Sequence, residues 1–536
     1  MALRELADLR QDAADACKDL ARLELASARG TPFPLTIQEL VSGHPLSFSR
    51  DGLSQAREAL ERASGAARKA RLSALRDFLV RARALELTPG AAQEALELPR
   101  RPTVRLPGDP GLHGALPEVA VERDLPFVRE RGRRAAMESA LAAAARDEGS
   151  VRSALWEAAQ AALSELGAGD PAEAVLSMHE RGWSTPREPE PASAEAPLGQ
   201  GAPGPGSPLL RAPAPPAPKH DAIALACETF LLDTDPLARD LGGWLLERHS
   251  GAREAERHDL LAFLYAPRFA SAFPRGEQLR AVRRWAEMLR LDLSSGGAVS
   301  LEEEERPLQP AGAREVAVDP PDEIQVVVLP AEGPRALAEL LSAIGRAQLR
   351  AGPPQGAPPE DLWLGDAGLL PACGELLEGL LLDGAWVRRC AQADLSRDDE
   401  RALGMAALFL SRLDAARALG SLRALREGLG AAARQAYGEL HVRAALAQVP
   451  AELVPAELDP WLGAWADLRG RALAAHLRGF LRERFDEDWW RNPRALPSLQ
   501  GLWARGGRPT LPELWAETGA EPSLQPLKDE LFRACG

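Results

Sequence analysis

The sequence predicts a mainly α-helical protein that contains one small β element. Two observations lead to this fold class. Apolar residues recur at three- and four-residue steps over long stretches, which is the period of an amphipathic helix. Strand-like runs are few, and the clearest of them covers only residues 324–329.

Helical periodicity is clearest in two stretches, one in each half of the chain. Within 54–86 the apolar stripe is formed by Leu72, Leu75, Leu79 and Ala82. Near the C-terminus it is formed by Leu473, Leu477, Phe480, Leu481 and Phe485. Charged residues stand outside each stripe, so we predict two helices that each bury one face.

The strand prediction concerns the β-branched run Ile324–Leu329. Pro320 and Pro321 precede this run and Pro330 ends it. Because proline breaks both helices and ladders, these residues define a short isolated strand. An irregular stretch covers 294–322, and the acidic run 302–305 within it is interpreted as a solvated loop or helix end.

A change of composition divides the chain. Residues 184–219 are rich in Pro, Gly and Ala and cannot bury enough apolar surface to offset the entropy of ordering. We therefore predict an N-terminal helical region at 1–183, a linker at 184–219 and a C-terminal helical domain at 220–536.

The charge balance argues against a nucleic-acid partner. The chain has 64 Lys and Arg against 78 Asp and Glu, a net charge of −14, whereas duplex binding requires a basic surface. Its arginines are interspersed with acids at helical pair spacing. Nucleic-acid binding is thus the least favoured function.

Cysteine usage and the N-terminus bear on location. The five cysteines are far apart and form no CxxC pair, which is typical of a reducing compartment. The N-terminal segment carries charges throughout, and no uncharged apolar run is long enough to cross a membrane. We expect a cytoplasmic protein without a membrane partner.

The segments around the strand carry a family signature. The strand is followed by a helix-like segment containing Gly345, then by Gly365-Asp366 and by a second helix with Leu376, Glu378, Leu380, Asp383 and Trp386. Further matches are Arg306-Pro307, Pro321, Glu323, Val327, Asp459-Pro460, Leu468-Arg469 and the tail motifs RERFDEDWWRNPRA and LWARGGRPTLPEL. This order resembles the catalytic region of the M3 family of zinc peptidases, the thimet oligopeptidase and oligoendopeptidase F group, in the form found in bacteria.

The resemblance implies a helical ellipsoid with a central channel that admits short peptides. It also implies a zinc site, in which two His at i and i+4, a Glu base and a distal Glu act together. The corresponding positions here are Ser342 and Arg346 for the histidines, Ala343 for the base and Pro371 for the distal Glu. The family's substrate-binding tyrosines fall on Gly463 and Asp467.

None of these six residues supports the family's chemistry, because arginine cannot coordinate a cation and alanine or proline offers no donor. The sequence therefore predicts no catalytic residue, no metal and no cofactor. In place of zinc we expect Arg346 to form a buried ion pair with Glu375 or Glu378 on the facing helix.

Other residues of the chain carry groups that could replace the missing zinc ligands or act as nucleophiles. The set His249, Glu254, Glu256 and His258 lies close in sequence, but its two histidines would face opposite sides of one helix, so surface charges are favoured. His179 is interpreted as a helix end and His441 and His476 as structural residues. Cys373 lies among apolar residues, where a small hydrophobe is expected.

The functional prediction is a catalytically inactive M3-like pseudopeptidase that binds, scaffolds or regulates. Its partner would be a peptide or a protein, an active relative being one candidate. The alternative is a metallopeptidase of the oligopeptidase type with a relocated or non-standard metal site.

Overall fold

The computed structural model describes residues 2–106, 115–167, 169–179 and 221–536. Within them helices dominate and strands are few and short, so the predicted mainly α fold is confirmed. The predicted linker at 184–219 lies outside the described residues.

The described residues up to 179 form nine α-helices and one pair of short antiparallel strands. The helices are α1 (Ala2–Arg29), α2 (Ile37–Gly43), α3 (Arg50–Glu61), α4 (Ala66–Leu87), α5 (Pro89–Glu97), α6 (Glu118–Asp124), α7 (Arg131–Asp147), α8 (Gly149–Ser164) and α9 (Pro171–His179). The antiparallel strands are β1 (Pro102–Val104) and β2 (Leu116–Pro117).

The described residues after the linker contain fifteen α-helices and five strands. The helices are α10 (Asp221–Leu237), α11 (Gly243–Ser250), α12 (Arg257–Tyr265), α13 (Gln278–Leu289), α14 (Pro334–Ala351), α15 (Pro359–Leu362), α16 (Leu369–Glu378), α17 (Gly384–Trp386), α18 (Arg397–Glu427), α19 (Ala431–Ala445), α20 (Val454–Glu457), α21 (Gly463–Phe485), α22 (Leu496–Trp503), α23 (Leu511–Glu517) and α24 (Gln525–Cys535). The strands are β3 (Ala255–Glu256), β4 (Val299–Glu303), β5 (Gly312–Asp319), β6 (Glu323–Leu329) and β7 (Ala447–Gln448).

The three-stranded sheet has the order β4-β6-β5, with β6 parallel to β4 and antiparallel to β5. The predicted strand is β6, and its apolar side chains are buried because it lies in the middle of the sheet. The interpretation of 294–322 as irregular is wrong for two of its parts, which form β4 and β5, the strands on either side of β6. β4 includes Glu302, which Arg29 and Arg306 pair from outside the sheet, so ladder hydrogen bonds and ion pairs override its low strand propensity.

The two predicted helical stripes lie on α4 and α21. Leu72, Leu75, Leu79 and Ala82 are all buried on α4, while the chain before this helix is interrupted at Gly65, whose φ is +85°. On α21 the residues Leu473 and Leu481 are buried. The α4 stripe therefore faces the core as predicted, whereas Leu477, Phe480 and Phe485 of the α21 stripe are only half-buried.

Helices from before the linker pack directly on the second region. Arg10 of α1 donates to Glu360 at 2.6 Å, and Arg71 of α4 forms a two-pronged pair with Asp361 at 2.7 and 2.9 Å. Both acids belong to α15 and are buried. These ion pairs join α1 and α4 to α15. A cavity lies beside them, between the two parts of the chain.

In the described part of the chain, no helix combines the length and the apolar character needed to span a bilayer.

Candidate functional site

A cavity of about 560 Å³ lies between the two helical regions. Its walls come from α1, α4 and α9 on one side and from β5, the end of α14 and α21 on the other. Charged side chains reach it from both sides, including Glu24, Arg81, Glu315, Arg350 and Asp467. The cavity is therefore a polar compartment bounded by non-local elements.

The helices α14 and α16 pack in close contact beside this cavity. A Cβ atom at Gly345 would lie 2.1 Å from the backbone oxygen of Cys373, and one at Gly374 would lie 2.5 Å from Ser342 Oγ. Only glycine at these two positions permits this distance between the helix backbones. The motif glycine of the sequence resemblance is thus a packing requirement in this chain.

The positions that the resemblance assigns to zinc lie at this helix contact. Ser342 and Ala343 are buried on α14, and Pro371 is buried on α16 against Gly470. Arg346 is half-buried, and its Nε is enclosed without a hydrogen-bond partner. One hydroxyl and one permanently cationic guanidinium do not make a zinc site, so the donor set does not fit the family's metal.

The two positions assigned to the family's tyrosines, Gly463 and Asp467, do line the cavity. Burial and then the neighbouring Asp414 raise the pKa of the Asp467 carboxyl to about 6, against the opposing charges of Arg471 and Arg346. Asp467 therefore titrates close to neutral pH instead of staying fully ionised.

The predicted ion pair of Arg346 is wrong. Glu378 accepts from Arg335 at 2.7 Å and Glu375 from Arg471 at 2.7 Å. Among the described residues, Arg346 has no acid within 4.0 Å. The reason is helix register: Arg346 faces Gly374, whereas Glu378 lies beside Arg335 at the start of α14. An ion pair does join the two helices, but from a different arginine.

Two further carboxyl groups of the cavity have raised pKa values. Glu24 faces the cavity from α1, and desolvation followed by the charge of Glu315 raises its pKa to about 7. Burial also raises the pKa of Glu315 on β5, against the charges of Arg350 and Arg346. Arg350 Nε lies 3.8 Å from Glu315 Oε1. Desolvation therefore favours the neutral form of both carboxyls, and the charge of Arg350 opposes it at Glu315.

A hydrogen-bonded chain also borders the cavity. The His179 ring donates through Nε2 to the Trp461 oxygen at 2.8 Å, and its Nδ1 faces Arg469 Nη2 at 3.4 Å. Arg469 in turn donates to Asp366 at 3.2 Å. Burial, with the nearby charge of Arg469, lowers the pKa of His179 to about 3. His179 is the last described residue of α9, so the predicted helix end falls at the limit of the described residues.

His179 should make the fold sensitive to acid. Its pKa is about 3 in the fold and 6.5 when unperturbed, so the unfolded chain binds the extra proton as the pH falls below 6.5. Stability is then lost at up to about 1.4 kcal/mol per pH unit. Urea unfolding at pH 7 and pH 5 should show a smaller loss for His179→Gln than for the wild type. Parallel losses would contradict this assignment.

A second polar group lies on α7 and at the start of α12. Glu138, Glu256 and His258 each offer one ligand atom, and these atoms lie within 4.8 Å of one another. His258 is fully buried and Glu138 is 4% exposed. The interpretation as surface charges is therefore wrong for His258, whereas Glu254 and Glu256 are exposed as predicted. Spacing along the chain could not reveal the group, since Glu138 is distant in sequence.

Two further histidines and one cysteine contribute to packing in the fold. His441 is buried and its Nδ1 contacts the Ala447 oxygen at 2.7 Å, while His476 stacks on Trp515 with ring centroids 4.4 Å apart. Cys373 is buried among apolar neighbours, and burial raises the pKa of its thiol to about 12. This agrees with the predictions for all three residues.

The similarities of this chain to known proteins are confined to structure. No family model and no curated protein sequence matches it. A protein of Bacillus anthracis assigned as an oligoendopeptidase F has 9% identity, covers 91% of this chain and 83% of its own, and superposes with a TM-score of 0.58. PZ peptidase A with an inhibitor has 11% identity, coverage of 96% and 86%, and a TM-score of 0.61.

Carboxypeptidases share the same architecture. The carboxypeptidase of Pyrococcus furiosus has 11% identity, covers 99% of this chain and 98% of its own, and has a TM-score of 0.55. These similarities confirm the predicted mainly α, M3 peptidase-like fold.

The prediction that the chain is not an enzyme is wrong. The structures that share its fold are peptidases, and a Glu-Glu-His group with metal-ligand spacing is present among the described residues. These findings support an enzyme as well as they support a binding protein. The fold of this chain is that of an M3-like peptidase.

Proposed function

We propose that the chain hydrolyses short peptides held in the cavity between its two helical regions, at a reaction centre other than the family's zinc motif. In this proposal α14 corresponds to the motif helix of the fold without its ligands. The observation that carries the proposal is the pair of cavity carboxyls, Glu24 and Glu315, beside the guanidinium groups of α14.

The cavity suits a peptide because it presents both signs of charge. Arg81 can donate hydrogen bonds to a terminal carboxylate, while Asp467 can accept them from a terminal ammonium. Its volume of about 560 Å³ lies in the range of small-ligand pockets. A short peptide with free ends therefore matches the compartment better than a long unfolded chain does.

The proposed chemistry uses the two carboxyls in different protonation states. In this proposal Glu315 acts in its ionised form, which the nearby Arg350 favours, and takes a proton from the attacking water. Glu24, protonated below pH 7, gives a proton to the leaving amine.

Cleavage of quenched-fluorescent peptides tests this function. The wild type should cleave them, and Glu24→Gln should lower kcat/KM by roughly 10²-fold, the effect of removing a general acid. Since Glu24 must carry a proton, the activity of the wild type should fall as the pH rises above about 7.

Glu5→Gln is the matched control because Glu5 is an exposed acid on the same helix and does not line the cavity. It should leave kcat/KM unchanged. Peptide that binds without being cleaved across the pH range, or equal rates for the two variants, would overturn the proposal.

A further inference from the structure

The Glu138, Glu256 and His258 side chains converge where two helices meet. Glu138 comes from α7, and Glu256 and His258 stand at the start of α12. Glu256 is the N-cap residue of α12 and forms a capping box with Asp259. This cap fixes the backbone around His258, so the ring and the Glu256 carboxylate are held in place by helix initiation.

The separations between these side chains match a metal centre. His258 Nδ1 lies 3.0 Å from Glu138 Oε2 and 3.4 Å from Glu256 Oε2. Tetrahedral zinc with bonds of about 2.0–2.1 Å holds its ligand atoms roughly 3.3 Å apart. Small shifts of side chains already present would therefore complete three bonds to one cation.

The other ring nitrogen of His258 gives an independent reason to infer a metal. His258 Nε2 is buried and has no hydrogen-bond partner, but Asp259 Oδ1 lies 3.4 Å from it. A histidine that binds metal through one nitrogen typically presents the other N–H to a carboxylate. Arg131 and Arg134 hold Asp259 at 3.0 and 2.8 Å, so this carboxylate is already oriented.

Glu138 also has an unused oxygen. Its Oε1 is buried without a hydrogen-bond partner, and the nearest cation, Arg257, remains 3.7 Å away. Arg257 is itself paired with Glu457 at 3.2 Å, which offsets its repulsion of a bound cation. A buried carboxylate left this incompletely satisfied is costly unless something else binds it.

We propose that Glu138, Glu256 and His258 bind one divalent first-row transition-metal ion, with Asp259 orienting His258. The imidazole favours zinc over magnesium or calcium, and the two carboxylates balance its charge. Glu256 is half exposed, so the ion would keep one side open to water. The site shares no residue with the cavity, and the proposal does not depend on peptide hydrolysis.

Calorimetric titration of the chelator-treated full chain with Zn²⁺ tests the site. We expect one ion per chain, with the affinity lowered at least tenfold in Glu256→Gln and in His258→Gln, and about tenfold or more in Asp259→Asn. Glu254→Gln is the matched control, because Glu254 is an exposed acid two residues from Glu256. It should bind zinc as the wild type does.

Thermal unfolding separates loss of binding from loss of fold. Zinc should raise the Tm of the wild type and of Glu254→Gln but not that of Glu256→Gln. Since Glu256 is half exposed, its variant should fold even where His258→Gln does not. No stoichiometric zinc in the wild type, or equal affinity in Glu256→Gln, would overturn the proposal. Neither result depends on whether peptides are cleaved.

Discussion

Replacing Arg412 with Met is expected to lower the free energy of unfolding by about 3–5 kcal/mol, the cost of leaving a buried charge network without one partner. Arg412 lies on α18 and is 0% exposed. It donates to Asp235 at 2.6 Å and also to the hydroxyl of Thr234. Its guanidinium therefore satisfies groups on α10 that have little access to water.

The same side chain also serves three backbone carbonyls. These are the oxygens of Leu231 at 2.8 Å, Ala444 at 2.8 Å and Arg443 at 2.6 Å. Leu231 belongs to α10 and the other two to the end of α19. Because methionine has no donor, the variant would leave these acceptors unpaired, each with a desolvation cost.

Arg423→Met is the control on the same helix. Arg423 is exposed and pairs only with Glu427 one turn away at 2.9 Å. Such a surface pair contributes less than about 1 kcal/mol. Urea unfolding of the two variants should therefore differ by several-fold in the stability lost. Equal losses would show that the buried network of Arg412 is not what joins α10, α18 and α19.

Gly345→Ala is expected to lower the free energy of unfolding by about 3 kcal/mol, at the upper end of overpacking costs. The added Cβ would lie 2.1 Å from the oxygen of Cys373 and 2.9 Å from its carbonyl carbon. Both are backbone atoms of α16, so no side chain can rotate away. The helices must separate, and the packing beside the cavity is lost.

Gly479→Ala tests the same substitution where there is room. Gly479 lies on α21 and a Cβ there would meet nothing within 4 Å. Alanine has the higher helix propensity, so this variant should gain roughly 0.5–1 kcal/mol. Opposite signs for the two glycines in urea unfolding are the expected result, and a gain of stability at Gly345 would contradict the close contact of α14 and α16.

Much of the fold can be predicted because patterns within single segments of the sequence determine it. The stripes on α4 and α21 repeat at the helical period, and the run 324–329 is β-branched and bounded by prolines. Each of these signals lies within one segment. By contrast, β4 contains Glu302, and its strand conformation depends on pairing with β6 and on ion pairs with Arg29 and Arg306.

The candidate site was predicted only in part for the same reason. The sequence shows that Ser342, Ala343, Arg346 and Pro371 lack the donors for zinc, because that depends on residue type alone. It could not show that Arg335 and Arg471 take the acids expected for Arg346. Arg335 precedes Arg346 by about three turns on α14, and Arg471 lies on α21. The choice among these arginines therefore depends on how the helices pack.

Residue type and periodicity thus suffice for the helical class and for the strand β6. Residue type also suffices to show that the four positions which the resemblance assigns to zinc lack the family's ligands. The cavity carboxyls and the Glu138, Glu256 and His258 group exist only after folding, since their members lie on α1 and β5 or on α7 and α12. Their properties depend on burial and on charges brought together from distant segments. Desolvation and Coulomb interaction depend on distances in space, which spacing along the chain does not set.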